Sequence, residues 1–267
     1  DKVLVKRKIS FDIFPDREYY CTLSCNAERV FFEIMDTEAN SAESIEFLST
    51  GTGEKNPGRC WCYPVFYLHS GSVVIREFIY LSDMPASPKA VILGNSITEG
   101  DTLRNEVGGG YRNRWAGRLY DELGGNVAIL GTAGETSSEA IEKLPVIDRI
   151  FKKPEFALLA HFTNDHDFDT YYKNTSKLIS LFKAKGAVPV ICIFPRRRGR
   201  EEFHRQVVSW AYKSNNKLVD FAEALTVNGD RETPDPKYYL PDMLHPNVLG
   251  HRRMFERIKI DLPELFR

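Results

Sequence analysis

The sequence predicts an α/β protein whose main part is a parallel, doubly wound sheet, preceded by a small antiparallel β region. Two patterns carry this prediction. From Ala90 onward, short unbroken apolar runs alternate with longer segments of helical period, which is typical of strands buried on both faces and connected through helices. Before about Leu81, short runs rich in β-branched and aromatic residues are separated by turn-forming residues, which indicates antiparallel sheet.

The front region contains five candidate strands. They are residues 3–14, 19–25, 30–34, 61–68 and 73–81. Residues 49–58 form a loop by composition, and residues 82–88 combine Ser, Asp and Pro in the manner of an interdomain linker. We therefore predict a β-rich accessory domain over residues 1–87 and a second domain over residues 88–267.

The second region also contains five candidate strands. They are residues 90–93, 127–130, 156–160, 188–194 and 218–221. Amphipathic helices are predicted between and after them: one around Trp115, Leu119 and Leu123, one around Ile141, Leu144 and Ile147 behind a Thr136-x-x-Glu139 capping box, and a last one around Met254, Phe255 and Ile258. Right-handed crossovers in such a sheet place the active loops at the carboxyl ends of the strands.

The composition excludes several classes of protein. The 267 residues suit one or two domains, and 42% hydrophobic with 12% aromatic residues is too apolar for a disordered chain. The formal net charge of −1 gives no global attraction to nucleic acid or to an anionic membrane. The apolar runs are far shorter than the roughly 20 residues that span a bilayer, so we predict no membrane span.

The five cysteines include four in the first quarter of the chain. Cys21 and Cys25 form a C-x3-C pair and Cys60 and Cys62 a C-x-C pair, whereas structural zinc sites favour C-x2-C spacing. We expect thiols packed in strands or one disulfide, with zinc as the alternative. The first residues contain neither Met nor a signal-like apolar segment, which leaves the cellular compartment open.

A serine follows the first buried strand, in the sequence Gly94-Asn95-Ser96. A glycine before it allows a sharp turn that would hold Ser96 at the carboxyl edge of the sheet as a nucleophile. The alternative is that Ser96 is only the N-cap of a helix.

Three more polar blocks follow in order. Gly134, after the second strand, could offer a backbone N–H to an oxyanion, and the Asn164 amide, after the third strand, is a neutral donor. Asp242 and His245 are spaced so that the carboxylate could hold one ring nitrogen while the other faces a serine. Each block alone also fits an ordinary turn, cap or surface loop, but their joint occurrence in this order favours a catalytic site.

With these blocks the chain resembles the SGNH, or GDSL-like, esterase and acylhydrolase superfamily over roughly residues 89–267. The resemblance implies a flavodoxin-like three-layer α/β/α sandwich with a five-stranded parallel sheet. It also implies Ser96, His245 and Asp242 as catalytic triad, and Ser96, Gly134 and Asn164 as oxyanion donors. Asn95 stands where the family usually has Asp, and Phe162 where its Gly-x-Asn-Asp block has glycine.

The implied chemistry is two-step acyl transfer through an acyl-enzyme, with no cofactor and no metal. Carbohydrate esterases of this superfamily carry small jelly-roll-like accessory domains, so we expect a carboxylic ester hydrolase acting on acetylated carbohydrate. Aromatic residues of the front region, Trp61, Tyr63 and Phe66, are either core or sugar-stacking residues. Such a substrate implies a secreted or periplasmic protein.

Candidate substrate contacts follow the fourth strand and precede the Asp-His pair. They are Arg196, Arg197, Arg198, Arg200, Tyr238 and Tyr239, which would suit a polar, acidic glycan. The alternative for the arginines is a solvated basic loop neutralised by Glu201 and Glu202.

Two other functions remain: a lipid or thioester acylhydrolase, and a glycan-binding protein with a vestigial catalytic domain. An α/β-hydrolase is disfavoured because Thr98 breaks the Gly-x-Ser-x-Gly elbow.

Overall fold

The structure, a computed structural model, divides into two compact units, Asp1–Ile79 and Tyr80–Arg267. The predicted boundary near residue 87 stays a prediction. The residues that the structure describes are 14, 17–25, 29–36, 38–39, 41–48, 86–100, 102–103, 106–107 and 109–267.

The first unit contains a three-stranded antiparallel sheet. Its strands are β1 (Tyr19–Cys25), β2 (Arg29–Asp36) and β3 (Ser41–Leu48), with β2 in the middle. The sequence predicted the first two, but not β3, whose serines and glutamates have low strand propensity. The other strands predicted for the front region, its jelly-roll-like architecture and the aromatic residues Trp61, Tyr63 and Phe66 lie outside the described residues.

The second unit is built on a five-stranded parallel sheet in the order β5-β4-β6-β7-β8. Its strands are β4 (Ala90–Gly94), β5 (Val127–Gly131), β6 (Phe156–Ala160), β7 (Val188–Ile193) and β8 (Lys217–Asp220). All five predicted strands are found within one residue of their expected bounds. Their unbroken apolar character follows from burial on both faces, with β4 and β6 fully buried along their length.

The helices follow the strands in alternation. They are α1 (Ser96–Glu99), α2 (Trp115–Glu122), α3 (Ser137–Glu142), α4 (Leu144–Ile150), α5 (Phe168–Ala184), α6 (Glu201–Lys213), α7 (Phe221–Leu225) and α8 (Val248–Asp261). Helices α2, α7 and α8 contact one another, and α3 to α6 form a second group. The parallel sheet with its flanking helices is the predicted α/β/α sandwich.

The helix predicted around Ile141, Leu144 and Ile147 is wrong as a single helix, because α3 ends at Glu142 and α4 begins at Leu144. Pro145 lies in the first turn of α4, and it has no N–H with which to continue the α3 hydrogen-bond series. The predicted capping box at Thr136 and Glu139 is confirmed, since both of its reciprocal hydrogen bonds form.

The register of the parallel sheet places the carboxyl ends of β4, β5 and β6 side by side. Gly94 at the end of β4 pairs with Gly131 of β5 on one side and with Ala160 of β6 on the other. Because the chain crosses from one side of β4 to the other between β5 and β6, the loops after these strands flank the residues that follow β4. This edge of the sheet is where the candidate catalytic residues lie.

Two thiols of the described residues are free: Cys21 is exposed and Cys192 is buried in β7. The side chain of Cys25 and both Cys60 and Cys62 lie outside the described residues, so the predicted cysteine pairing stays a prediction. No helix in the described ranges has the length and apolarity needed to cross a membrane.

Candidate active site

The turn between β4 and α1 holds Ser96 at the carboxyl edge of the sheet. A Cβ on Gly94 would lie 2.0 Å from the Thr98 hydroxyl oxygen and 3.1 Å from the Ala160 carbonyl oxygen, so the close packing of this turn requires glycine. The N-cap of α1 is Asn95, whose side chain accepts a hydrogen bond from the Ile97 N–H at 3.1 Å. Ser96 is therefore not the cap, and its hydroxyl is available for other interactions.

Three side chains fix this turn to its surroundings. The fully buried amide of Asn95 donates to the Thr163 hydroxyl and to the His161 carbonyl. Trp115, at the start of α2, donates its indole N–H to the Ile97 carbonyl at 3.1 Å. Arg114 donates to the Glu99 carbonyl at 2.9 Å. The turn that carries Ser96 is thus held by residues that follow β6 and by residues at the start of α2.

His245 and Asp242 lie on the loop that precedes α8. The Ser96 Oγ is 3.0 Å from His245 Nε2, and His245 Nδ1 is 2.6 Å from Asp242 Oδ2. Because a carboxylate only accepts hydrogen bonds, Nδ1 carries the proton and Nε2 is left to accept from the serine hydroxyl. The structure therefore brings these three predicted residues into one hydrogen-bonded chain.

The Asp242 carboxylate is held by three hydrogen bonds. Its Oδ1 accepts from the backbone N–H groups of Leu244 and His245, both at 2.9 Å, and Oδ2 accepts from the His245 ring. Burial opposes ionisation of Asp242, but these hydrogen bonds outweigh it and lower the pKa of the carboxyl. Asp242 is consequently ionised and oriented toward the imidazole.

The backbone of the loop that carries Asp242 and His245 has a defined conformation. Met243, between the two residues, adopts a left-handed φ of 54°, and the bridge between Tyr239 and Pro246 closes the base of the loop. The Leu240 N–H donates to the His245 carbonyl at 2.8 Å. Asn247 then caps α8 by accepting from the Gly250 N–H.

Gly134 lies in an exposed turn after β5 with a φ of +79°, which strains any other residue. A Cβ built on Gly134 would meet no atom within 4 Å. The Thr132 N–H donates to the Gly94 carbonyl at 3.0 Å, which ties this loop to the end of β4. The space beside the Gly134 Cα is therefore open, and its loop is joined to β4, the strand that precedes Ser96.

The Asn164 side chain has a defined orientation. Its Nδ2 donates to the Glu135 carbonyl at 3.1 Å, and its Oδ1 faces Arg197 Nη1 at 3.5 Å. A carbonyl only accepts and a guanidinium only donates, so the two ends of the amide cannot be exchanged. One Nδ2 proton is bound to the Glu135 carbonyl, which fixes the direction of the amide.

The family pattern has glycine at the position of Phe162, and the structure shows what the larger side chain does. Phe162 is 3% exposed and packs edge-on against Tyr171 and Phe194, with ring centroids 6.0 and 5.8 Å apart. Phe203 contributes a further ring from α6. The phenyl group therefore fills the core beneath the sheet edge, and it does not line the pocket that Ile97 and Thr163 border.

That pocket is small and has mixed chemistry. Its volume is about 20 Å³. Its lining includes neighbours in sequence of Ser96, Asn164 and His245, but not these three residues themselves: Ile97, Thr163, Phe194, Pro195, Arg196, Arg197, Leu225, Pro234, Tyr239, Met243, Leu244 and Pro246. Of the predicted substrate contacts, Arg196, Arg197 and Tyr239 line it. Tyr238 packs partly buried against the core, Arg198 is exposed, and Arg200 donates to the Asp165 carbonyl.

Two buried carboxylates near the site were missed by the sequence reasoning. Glu135 is 2% exposed and pairs with Lys143, and burial raises the pKa of its carboxyl. Asp165 is 4% exposed and accepts from the N–H and hydroxyl of Ser137 at the start of α3. The only sequence signal for them is that Glu135 follows Gly134 and Asp165 follows Asn164. The hydrogen bonds of Glu135 and Asp165 hold the loops that carry Gly134 and Asn164.

A serine, an imidazole and a carboxylate in one hydrogen-bonded chain at the edge of a parallel sheet is an arrangement typical of serine hydrolases. The chain belongs to the GDSL-like Lipase/Acylhydrolase family, which it matches over residues 92–253. This confirms the resemblance drawn from the motif blocks. A search of curated proteins finds no match to the chain.

Solved structures of this family share the fold. A member of the lipolytic protein G-D-S-L family from Veillonella parvula aligns with a TM-score of 0.53 and 21% identity, over 65% of this chain and 97% of its own. The psychrotrophic esterase EstA from Pseudoalteromonas sp. aligns with a TM-score of 0.52 and 16% identity, over 66% and 96%. A catalytic mutant of an acetylxylan esterase from Geobacillus stearothermophilus aligns with a TM-score of 0.51 and 18% identity, over 67% and 95%.

Proposed function

We propose that this protein is a serine esterase that hydrolyses acyl esters, acetyl esters above all, on a carbohydrate. The observation that carries the proposal is the chain from Ser96 Oγ through His245 to Asp242, with distances of 3.0 and 2.6 Å. Both lie within the range in which a base takes a proton and a carboxylate orients it.

In the proposed reaction, His245 Nε2 takes the Ser96 proton while Oγ attacks the ester carbonyl. His245 then gives this proton to the leaving alcohol, and the acyl group stays on Ser96. Water, deprotonated by the same imidazole, then attacks the acyl carbonyl. The bond between the acyl group and Ser96 Oγ breaks, Oγ takes the proton back from His245, and the acid is released. Asp242 holds the ring in the required tautomer and stabilises the imidazolium in both steps.

The developing oxyanion is proposed to be bound by the N–H groups of Ser96 and Gly134 and by the Asn164 amide. The orientation of Asn164 supports this proposal. One Nδ2 proton is bound to the Glu135 carbonyl, so the amide is already oriented before the substrate binds. Donors that need no rearrangement stabilise the transition state most effectively.

The proposed substrate class is supported by one of the solved structures and by the pocket that lies next to the site, which is lined by Ile97, Thr163 and Leu244 together with Arg196 and Arg197. The acetylxylan esterase among the solved structures supports a carbohydrate acetyl ester as the substrate class, and the two arginines of the pocket suit a polar molecule.

The test compares the native protein with Ser96→Ala and, as matched control, Ser180→Ala on the exposed side of α5. We expect turnover of 4-nitrophenyl acetate and acetate release from acetylated oligosaccharides, reduced by Ser96→Ala at least about 10³-fold and unaffected by Ser180→Ala. Equal thermal unfolding of the three proteins shows that the fold is intact.

The outcomes separate the competing functions. Turnover that rises from acetyl to octanoyl 4-nitrophenyl esters would contradict the carbohydrate assignment and favour a lipid acylhydrolase. Binding of acetylated oligosaccharide without turnover by the native protein would favour a glycan-binding protein. Undiminished turnover by Ser96→Ala would reject Ser96 as the nucleophile.

A further inference from the structure

The four arginines after β7 differ in what compensates their charge. Arg196 lies 3.7 Å from Glu201 and 3.8 Å from Glu232. Arg200 donates to the Asp165 carbonyl and lies 3.0 Å from the His166 ring. The guanidinium groups of Arg196 and Arg200 are therefore both bound to groups of the protein itself.

Arg198 is exposed to solvent. Because water solvates its charge, this residue needs no partner. Arg197 is half-buried, lines the pocket and reaches Asn164 Oδ1 at 3.5 Å. No Asp or Glu of the described residues forms an ion pair with it. A partly desolvated cation without a counter-ion costs free energy unless a ligand supplies the opposite charge.

The surroundings of Arg197 add positive charge. Burial together with the nearby Arg197 guanidinium lowers the pKa of Arg200. Two buried carboxylates of the neighbouring loops form their hydrogen bonds away from Arg197: Asp165 is bound to Ser137 and Glu135 to Lys143. The charge of Asp165 still favours the protonated form of Arg200. The side of the site next to Asn164 is therefore a local positive region that favours an anion.

We propose that Arg197 binds a carboxylate of the ester substrate, so that the site selects esters of acidic molecules. The inference rests on the proposed esterase function and names the substrate class of the same site. Because the guanidinium contacts the Asn164 amide, the carboxylate it binds lies close to the scissile ester. Arg is suited to this role because its planar group binds carboxylates through two hydrogen bonds.

The carboxylate can belong to either part of the ester. It lies on the alcohol part in an acetylated uronic acid, and on the acyl part in a half-ester of a dicarboxylic acid. Both present the same anionic group to Arg197, and the two arms of the experiment distinguish them.

The measurement must separate two roles of Arg197, which are binding of the substrate carboxylate and positioning of the Asn164 amide. Arg197 also fixes the Asn164 amide, so its loss is expected to lower turnover of every ester. The ratio of kcat/KM between a charged ester and its neutral counterpart cancels this common effect. That ratio is the quantity that reports binding of the carboxylate.

The first arm uses acetylated methyl glucuronoside against acetylated methyl glucoside, and the second uses mono-4-nitrophenyl succinate against 4-nitrophenyl pentanoate. In at least one arm we expect the native protein to prefer the charged ester and Arg197→Gln to lower the ratio about tenfold, as the loss of a charge-assisted hydrogen bond does. Arg197→Lys should retain part of the preference. Arg205→Gln, an exposed arginine on α6, should leave the ratio unchanged.

Equal ratios for the native protein and Arg197→Gln in both arms would overturn the inference, even if Ser96→Ala abolishes turnover. If the native protein turns over no ester, the proposed function fails separately. The inference is then decided by calorimetric binding of methyl glucuronoside and methyl glucoside. Binding of the acid that is equal in the native protein and Arg197→Gln would overturn it.

Discussion

The Asn95 side-chain amide donates a hydrogen bond to the Thr163 hydroxyl, which joins the ends of β4 and β6 one residue before Ser96. The same side chain accepts from the Ile97 N–H and donates to the His161 carbonyl. The residue that differs from the family's usual aspartate thus uses both ends of its amide. An aspartate could accept the bond from Ile97, but it could not donate to a carbonyl.

Asn95→Ala is expected to lower the free energy of unfolding by about 1–3 kcal/mol, since it leaves buried polar groups on Ile97 and Thr163 without a partner. Urea unfolding measures the loss. Asn95→Asp is the matched control and should cost less, because the cap on α1 is retained. A larger loss for Asn95→Asp than for Asn95→Ala would contradict this account of the amide.

Phe162→Ala is expected to destabilise the protein by about 3–5 kcal/mol, because it empties a buried site surrounded by aromatic rings. Phe162→Leu, which fills more of the space, should cost less. If Phe162→Ala left stability unchanged and altered KM instead, the ring would have to line the substrate pocket.

Asp242→Asn is expected to lower kcat by about 10²–10⁴-fold, since an amide no longer enforces the tautomer in which Nε2 accepts the serine proton. Steady-state kinetics on an acetyl ester measure the loss. KM should change little, because the carboxylate faces the imidazole and not the pocket. An effect confined to KM would indicate a binding role for Asp242.

The stability of the protein is expected to fall between neutral and acid pH because of His161. This ring is 1% exposed, and burial, assisted by the charge of Lys143, lowers its pKa from 6.5 to about 4. Below pH 6.5 the unfolded chain binds a proton that the folded chain excludes, so the free energy of unfolding decreases as the pH falls toward 4. The slope is at most about 1.4 kcal/mol per pH unit for one group.

Urea unfolding at pH 7.5 and 5.0 measures this dependence, and His161→Gln should make it shallower. Another buried histidine, His251, acts in the same direction, since burial followed by the charge of Arg114 lowers its pKa to about 3. Some dependence should therefore persist in His161→Gln. An unchanged difference between the two pH values would show that His161 accepts its proton in the folded state.

The parallel sheet could be predicted from the sequence because its strands are buried on both faces and leave uninterrupted apolar runs. Strand β3 could not, since its serines and glutamates form no such run. The break between α3 and α4 was missed although Pro145 marks it, because the apolar period continues through it.

For the candidate site, the sequence predicted five residues of distinctive chemistry, and the structure joins three of them, Ser96, His245 and Asp242, by hydrogen bonds. The oxyanion-binding roles of Gly134 and Asn164 stay predictions. The sequence did not predict that Asn164 is oriented by the Glu135 carbonyl and Arg197, because those contacts join three separate loops. Nor did it show that Phe162 faces the core, since the direction of a side chain after a strand depends on the turn that follows.

Asp242 and His245 share one short loop that is closed by the Tyr239–Pro246 bridge. In the proposed reaction, a shift of that loop would withdraw the base together with the carboxylate that orients it, and leave Ser96 on the sheet without a proton acceptor. We therefore expect an insertion or a bound partner at residues 240–246 to abolish turnover while the parallel sheet stays folded.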